Sequence, residues 1–428
     1  MLDRTQAPDF SPITHINFLH TQKQSLDNQV PIYTLRAGQQ ALVRIEWIFE
    51  AGNYYNQKEG QSFFSNRMLL EGTKQKAASQ INAAIDLYGA FVDIQNHFDL
   101  SEVILYCPTR FVEQVLPIIA EVIFEPIFPE EELQQLKRKQ QQDLQVNLQK
   151  TAFLAGRAFR KAIFGENNPY GKSIEPASIE AIERNDVISF YEKHIHHRSM
   201  EILVSGNFDK QAIEVINKYF GQFVPKSNVN APSYFSIDTH IGSFFVEKPE
   251  SLQNSIRVGK LMMKKTDESF YKLIVANTIL GGYFGSRLMQ NIREEKGYTY
   301  GIYSSLQSFR KASFVAIGTD VKAEFTPNTL QEIYKEIEIL QNEKVGEKEL
   351  QKVKNYLIGS LAASVTTPFA QMDLFKEIHL HGLGYEFYEN YIEKINEVTA
   401  EDIIEMMQKH YQRNNLVEVV AGSQITES

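Results

Sequence analysis

The chain has 428 residues and a net charge of −9, from 44 basic and 53 acidic side chains. That is about two or three ordinary domain lengths, so two or more domains are expected, and the acidic balance argues against a nucleic-acid partner. Hydrophobic residues at 43% and charged residues at 23% are the mix of a folded globular protein rather than a disordered or fibrous one.

The N-terminal stretch MLDRTQAPDFSPITHINF has an early Asp, two prolines and no apolar core of signal-peptide length. No run of about 18 apolar residues follows anywhere, so no membrane helix is read and a cytoplasmic location is expected. ALVRIEWIFEAG (41–52) alternates as a strand. EGQSFFSNRMLLEGT (59–73) has helical periodicity, opened by Gly60 and closed by Gly72 and Thr73. AFVDIQNHFDLSEVILYCP (90–108) reads as further strand and holds the one cysteine, Cys107. With no second cysteine there is no intramolecular disulfide, and Cys107 reads as a buried small hydrophobe suited to a reducing compartment.

Long amphipathic helices come next, and then the chain repeats itself. EEELQQLKRKQQQDL (130–144) resembles EKELQKVKNYLIGSL (347–361), and VISFYEKHIHHRSMEILVSGNF (187–208) resembles IIEMMQKHYQRNNLVEVVAGSQ (403–424). Glu132 and Leu133 pair with Glu349 and Leu350, Lys193 and His194 with Lys409 and His410, and Gly206 with Gly422. A spacing of about 216 residues is too long for a solenoid unit, so a whole domain is duplicated. The expected division is an N-terminal lobe 1–223, a Pro/Ser/Asn-rich linker 224–242 and a C-terminal lobe 243–428. Strands come in groups followed by runs of helices, which predicts an α+β class: two homologous lobes, each a largely antiparallel sheet packed against helices.

The densest motif is LGGYFGSRLMQNIREEKGYTYGIYSS (280–305). Gly281, Gly282 and Gly285 make a turn, Ser286 is placed to cap a helix, and Gly297 ends that helix before the strand YTYGIYSS. Arg293 falls in the last turn, with Tyr300 seven residues on. A plain structural account remains open: an arginine favouring the helix dipole and a tyrosine filling a strand.

This motif resembles the second-domain signature of the pitrilysin/insulinase/mitochondrial-processing-peptidase family of zinc metallopeptidases: Gly-Gly, Ser-Arg-Leu, then Leu-Arg-Glu-x-x-Gly-x-x-Tyr, with Ile292 in place of the Leu. The resemblance extends over essentially the whole chain, including the duplication and NPYGKSI (168–174). It implies two α+β lobes. In paired members it also implies a division of labour, in which one subunit carries His-x-x-Glu-His and a distal Glu ligand, and the other keeps an Arg and a Tyr that reach substrate at the partner's zinc. Arg293 and Tyr300 match those two positions.

GQSFFSNRMLLEGT aligns without gaps to the family's Gly-x-x-His-x-x-Glu-His-Met-x-x-x-Gly-Thr. Gly60, Met68, Gly72 and Thr73 match, but Phe63, Asn66 and Arg67 stand for His, Glu and His. Zinc needs lone pairs from the two imidazoles, and the water it activates needs the carboxylate. Phe63 has no lone pair, Asn66 is not basic, and Arg67 repels a dication. The helix expected to carry the distal ligand, 137–150, has Asp143 as its sole carboxylate. The histidine clusters, His194/His196/His197 and His379/His381, lack i,i+4 spacing and are read as structural or surface histidines rather than metal ligands.

The resemblance therefore implies a zinc-less subunit, inactive alone, with no cofactor of its own and zinc expected only in the partner. That partner is a homologous chain with His-x-x-Glu-His, and the pair encloses a chamber for flexible peptides. Neither nucleic acid nor membrane is an expected partner, and homodimers are expected to be possible when the chain is isolated. A scaffold of the same fold without catalytic contribution is the alternative.

Overall fold

The computed structural model describes residues 11–196, 200–223 and 235–424. It contains eleven named strands in two sheets among the described residues. The first sheet is built from β1 (Gln22–Ser25), β2 (Pro31–Arg36), β3 (Leu42–Phe49), β4 (Phe91–Asn96), β5 (Ser101–Pro108) and β6 (Glu201–Gly206). The second uses β7 (Gly242–Glu247), β8 (Gln253–Met262), β9 (Ile302–Ser308), β10 (Ser313–Lys322) and β11 (Val417–Gly422).

Their orders run β1-β2-β6-β3-β5-β4 and β7-β11-β8-β10-β9. Apart from the extra edge strand β1, the two sheets are copies. Each has one parallel pair, β2 with β6 and β7 with β11, and is otherwise antiparallel. The α+β class and the duplication follow directly. Gly206 and Gly422 close equivalent strands, both at positive φ. Most of the linker reading, 224–234, lies outside the described residues. Its last part runs beside the helix Thr151–Phe164, where the His240 amide donates to the Ala162 carbonyl at 2.8 Å.

Each sheet is covered on both faces, and the second cover comes from the other half of the chain. On β3, Val43, Ile45, Trp47 and Phe49 enter the core of their own half. Alternation predicts that the intervening Arg44 and Glu46 face water, yet both are buried. They lie under the helix Pro368–Leu380, whose Met372 and Phe375 pack on Tyr33, Leu35, Ile48 and Leu203. In exchange, the helix Thr151–Phe164 places Ala155, Phe159 and Phe164 on the second sheet against Phe314, Val417 and Val419. Apolar burial, worth about 25 cal/mol per Å², acts on both sides of this exchange and ties the halves together.

One boundary differs from the sequence reading. Strand β9 opens at Ile302 rather than Tyr298. Gly297, at φ +67°, turns the chain out of the helix. The Thr299 hydroxyl then bonds the Asp320 carbonyl at 2.8 Å and accepts the Gly301 amide at 3.1 Å, which holds Tyr300 in a loop. Ser286 precedes the helix, but its hydroxyl is buried with no hydrogen-bond partner among the described residues, so it does not act as a cap. The helix itself is widened over Met289–Glu295. Cys107 is fully buried, and burial pushes its thiol up to about 12.

Candidate functional site

The helix Gln61–Arg67 begins at Gly60, whose φ of +98° suits a residue without Cβ. The buried Gln61 carboxamide oxygen accepts the backbone amides of Gln57 and Lys58, both at 2.9 Å, which fixes the entry loop. The three ligand-position residues then go separate ways. Phe63 is half-buried, packs edge-on to Phe64 at 5.2 Å, and lines a cavity of about 240 Å³. Asn66 is fully buried. Arg67 is exposed.

Asn66 heads a chain of neutral groups. Its Nδ2 donates to the Ala51 carbonyl at 3.2 Å and to Asn96 Oδ1 at 2.8 Å. Asn96 Nδ2 donates in turn to Asn53 Oδ1 at 3.0 Å, and the Ser62 hydroxyl donates to the same oxygen at 2.6 Å. The Ser62 amide donates to Asn56 Oδ1 at 2.8 Å. Where a metal helix needs basic donors, this one ties amides and a hydroxyl together.

The helix that the resemblance expects to carry the distal ligand spans Glu130–Asn147. It turns Asp143 to solvent and brings Gln140 to the same cavity as Phe63. In the sequence, Gln140 shows only as a polar amide on the helix whose sole carboxylate over 137–150 is Asp143. Phenylalanine, asparagine, arginine and glutamine do not fit a zinc ion. Among the described residues, no group of three His, Cys, Asp or Glu is placed to hold a metal.

His194 is buried between Phe190 and Tyr55, at ring distances of 4.6 and 5.3 Å, and burial followed by Lys193 lowers its pKa to about 4. His196 bonds Glu192 at 2.9 Å, and His197 lies outside the described residues. His379 bonds Glu201 at 2.8 Å across the two halves. His381 lines a cavity of about 410 Å³ between the halves, where burial and then Lys265, Arg310 and Lys264 lower its pKa to about 4.

In the second half, the Arg293 guanidinium lies 4.6 Å over the Phe284 ring and pairs with Glu294 at 2.7 Å. Both partners of that pair are partly exposed, so water competes for it. Tyr300 is 93% exposed and makes no hydrogen bond among the described residues. Among the described residues, the partners of Arg293 all lie in its own half. What brings the second half beside the amide chain is the β9–β10 turn, which shares a cavity with Asn53 and Asn96. The Arg310 amide donates to Asp99 at 3.0 Å, its guanidinium pairs with Glu50 at 2.6 Å, and Phe309 packs on Phe98 at 4.9 Å. The sequence reading missed this turn, since nothing in SFRKAS marks it as a contact between halves.

Residues 33–176 match the family model described as Insulinase (Peptidase family M16), and residues 181–357 match one described as Peptidase M16 inactive domain. An uncharacterized zinc protease of Bacillus subtilis, YmxG, is 24% identical over 349 residues, covering 80% of this chain and 84% of its own. A probable inactive metalloprotease of the same organism, YmfF, is 23% identical over 372 residues, covering 80% and 84%. The crystal structure of a peptidase M16 inactive domain from Pseudomonas fluorescens superposes with a TM-score of 0.86 at 25% identity, covering 96% of this chain and 100% of that one.

Proposed function

The chain belongs to the insulinase (M16) peptidase family, and we propose that within it this protein is the zinc-less subunit of a heterodimeric zinc peptidase. The observation that carries the reading is the donor set of the helix Gln61–Arg67: its frame is that of a metal helix, while Phe63, Asn66 and Arg67 offer a metal nothing. The retained Arg293 and Tyr300 give the second half a reason to be present at a reaction site.

In this reading the partner, a homologous chain with His-x-x-Glu-His, holds the zinc. Arg293 and Tyr300 supply hydrogen-bond donors to the peptide main chain or to the oxygen that gains charge during cleavage. A weak pair with Glu294 is readily exchanged for substrate, and the Phe284 ring keeps the guanidinium plane oriented meanwhile. Tyr300 offers its hydroxyl from an exposed loop. Substrates are flexible peptides. A scaffold without catalytic contribution is the competing reading, and the pairing of Arg293 inside its own chain favours it to that extent.

The test is turnover of a fluorogenic peptide by the mixed complex. Arg293→Ala and Tyr300→Phe are each expected to leave assembly intact on gel filtration and to slow cleavage about 10²–10³-fold, the usual cost of one such donor. Unchanged turnover, or a partner equally active alone, assigns the chain to the scaffold class. Stoichiometric, tightly held zinc in the isolated chain would overturn both readings.

A further inference from the structure

The cavity beside Phe63 has a chemistry that the zinc-less reading leaves unused. Its volume is about 240 Å³, below the roughly 300–1,000 Å³ of pockets that take whole ligands. It suits the end of a chain rather than its middle. Three cations line it: Arg157, Arg160 and Lys172. Arg157 pairs with Glu175, and Lys172 lies 3.4 Å from Glu59.

Arg160 differs from the other two. Among the described residues no carboxylate pairs with it. Its Nη2 donates to the Ser173 hydroxyl at 3.2 Å, its Nη1 reaches the Gly156 carbonyl only at 3.5 Å, and its Nε is buried with no hydrogen-bond partner. Arg160 is half-buried, and a guanidinium partly withdrawn from water without a counter-ion is costly, while a neighbouring guanidinium adds repulsion. Burial, and then Arg157, hold its pKa below the usual arginine value. An arriving anion relieves both costs.

We propose that this cavity binds a carboxylate, the C-terminal carboxylate of a peptide whose last residue is apolar, with Arg160 as its principal partner. Guanidinium forks accept carboxylate and phosphate alike. The walls separate the two, because Phe63, Phe153 and Ile174 border the same space and give an attached apolar side chain somewhere to lie. Gln140 lines the cavity too, with both a donor and an acceptor for the last peptide unit. Phe63 thus acquires a role at the position where the family's metal helix has its first histidine: it supplies apolar wall.

The peptide class rests on the subunit reading above. Binding is measured on the isolated full chain, so failure here leaves the Arg293 and Tyr300 test standing, and the reverse also holds. The experiment is calorimetric titration with a short peptide ending in leucine, as the free acid and as the C-terminal amide, with inorganic phosphate as competitor. The acid is expected to bind at least about tenfold more tightly than the amide, the loss typical of hydrogen bonds to a charged group. Phosphate is expected not to displace it, and Arg160→Met is expected to bring the acid down to the affinity of the amide. Equal affinities for acid and amide, displacement by phosphate, no binding of either peptide, or an undiminished preference in a folded Arg160→Met each overturn the proposal. The acid-to-amide ratio needs no variant, so it decides the matter even if Arg160→Met does not fold.

Discussion

Lys376→Met tests whether the exchanged helices hold the two halves together. The ammonium of Lys376, on the helix Pro368–Leu380, lies 2.7 Å from Glu46 and 2.8 Å from Glu102, on strands β3 and β5 of the other half. Those carboxylates are 1% and 4% exposed. Arg44 remains 2.8 Å from Glu46, an ion contact too poorly aligned for a hydrogen bond, and spends its best donors on Asp373. Glu102 keeps no other cation among the described ion pairs. Removing one partner of a buried pair strands the other charge, at a cost of about 3–5 kcal/mol.

The cost carries a pH signature. Burial, the largest influence, holds the Glu46 carboxyl above its usual range, while Arg44 and Lys376 pull it down. Without Lys376 it rises further, so the folded state takes up a proton before the unfolded state does. The deficit is then full above the folded pKa and shrinks as pH falls towards about 4.5. Urea unfolding can be followed by Trp47, the one tryptophan, buried on β3 and packed 4.8 Å from Phe220. The expected result is a loss of about 3–5 kcal/mol at pH 8, clearly smaller at pH 5 and partly recovered by adding Glu102→Gln. A loss under about 1 kcal/mol, or the same loss at both pH values, would refute the buried-charge account.

Two further outcomes follow from the site. Asn66→Leu removes the donor that joins Ala51 to Asn96 and leaves the Ala51 carbonyl buried without it; urea unfolding should show a loss of about 1–3 kcal/mol, against near neutrality if the amide chain is incidental. His194 titrates near 4 in the folded chain against an ordinary 6.5, so stability falls as pH drops from 6.5 towards 4. His194→Phe, packed between the same rings, should remove about 3 kcal/mol of that fall and change nothing above pH 7, as read from unfolding midpoints across the range.

The sequence by itself determined much of the local structure. The strands ALVRIEWIFEAG, SEVILYCP and LVEVVAG announce themselves through alternation, and the duplicated segments foretell two sheets of one design. That Phe63, Asn66 and Arg67 bring neither imidazole nor carboxylate to their helix is equally plain in the sequence. PIYTLR and QNSIRVGKLM went unread as strands, since neither alternates cleanly and each depends on its neighbours for burial.

Only the tertiary structure decided which sheet each helix covers. Amphipathicity shows that Thr151–Phe164 and Pro368–Leu380 own an apolar face but not where it lies, because burial is non-directional and any apolar surface of matching shape will serve. The exchange between halves turned Arg44 and Glu46 from apparent surface charges into buried ones. Arg160 was just as opaque in the sequence. A lysine or arginine on a helix reads as solvated surface until the fold removes part of its water and supplies no carboxylate in exchange.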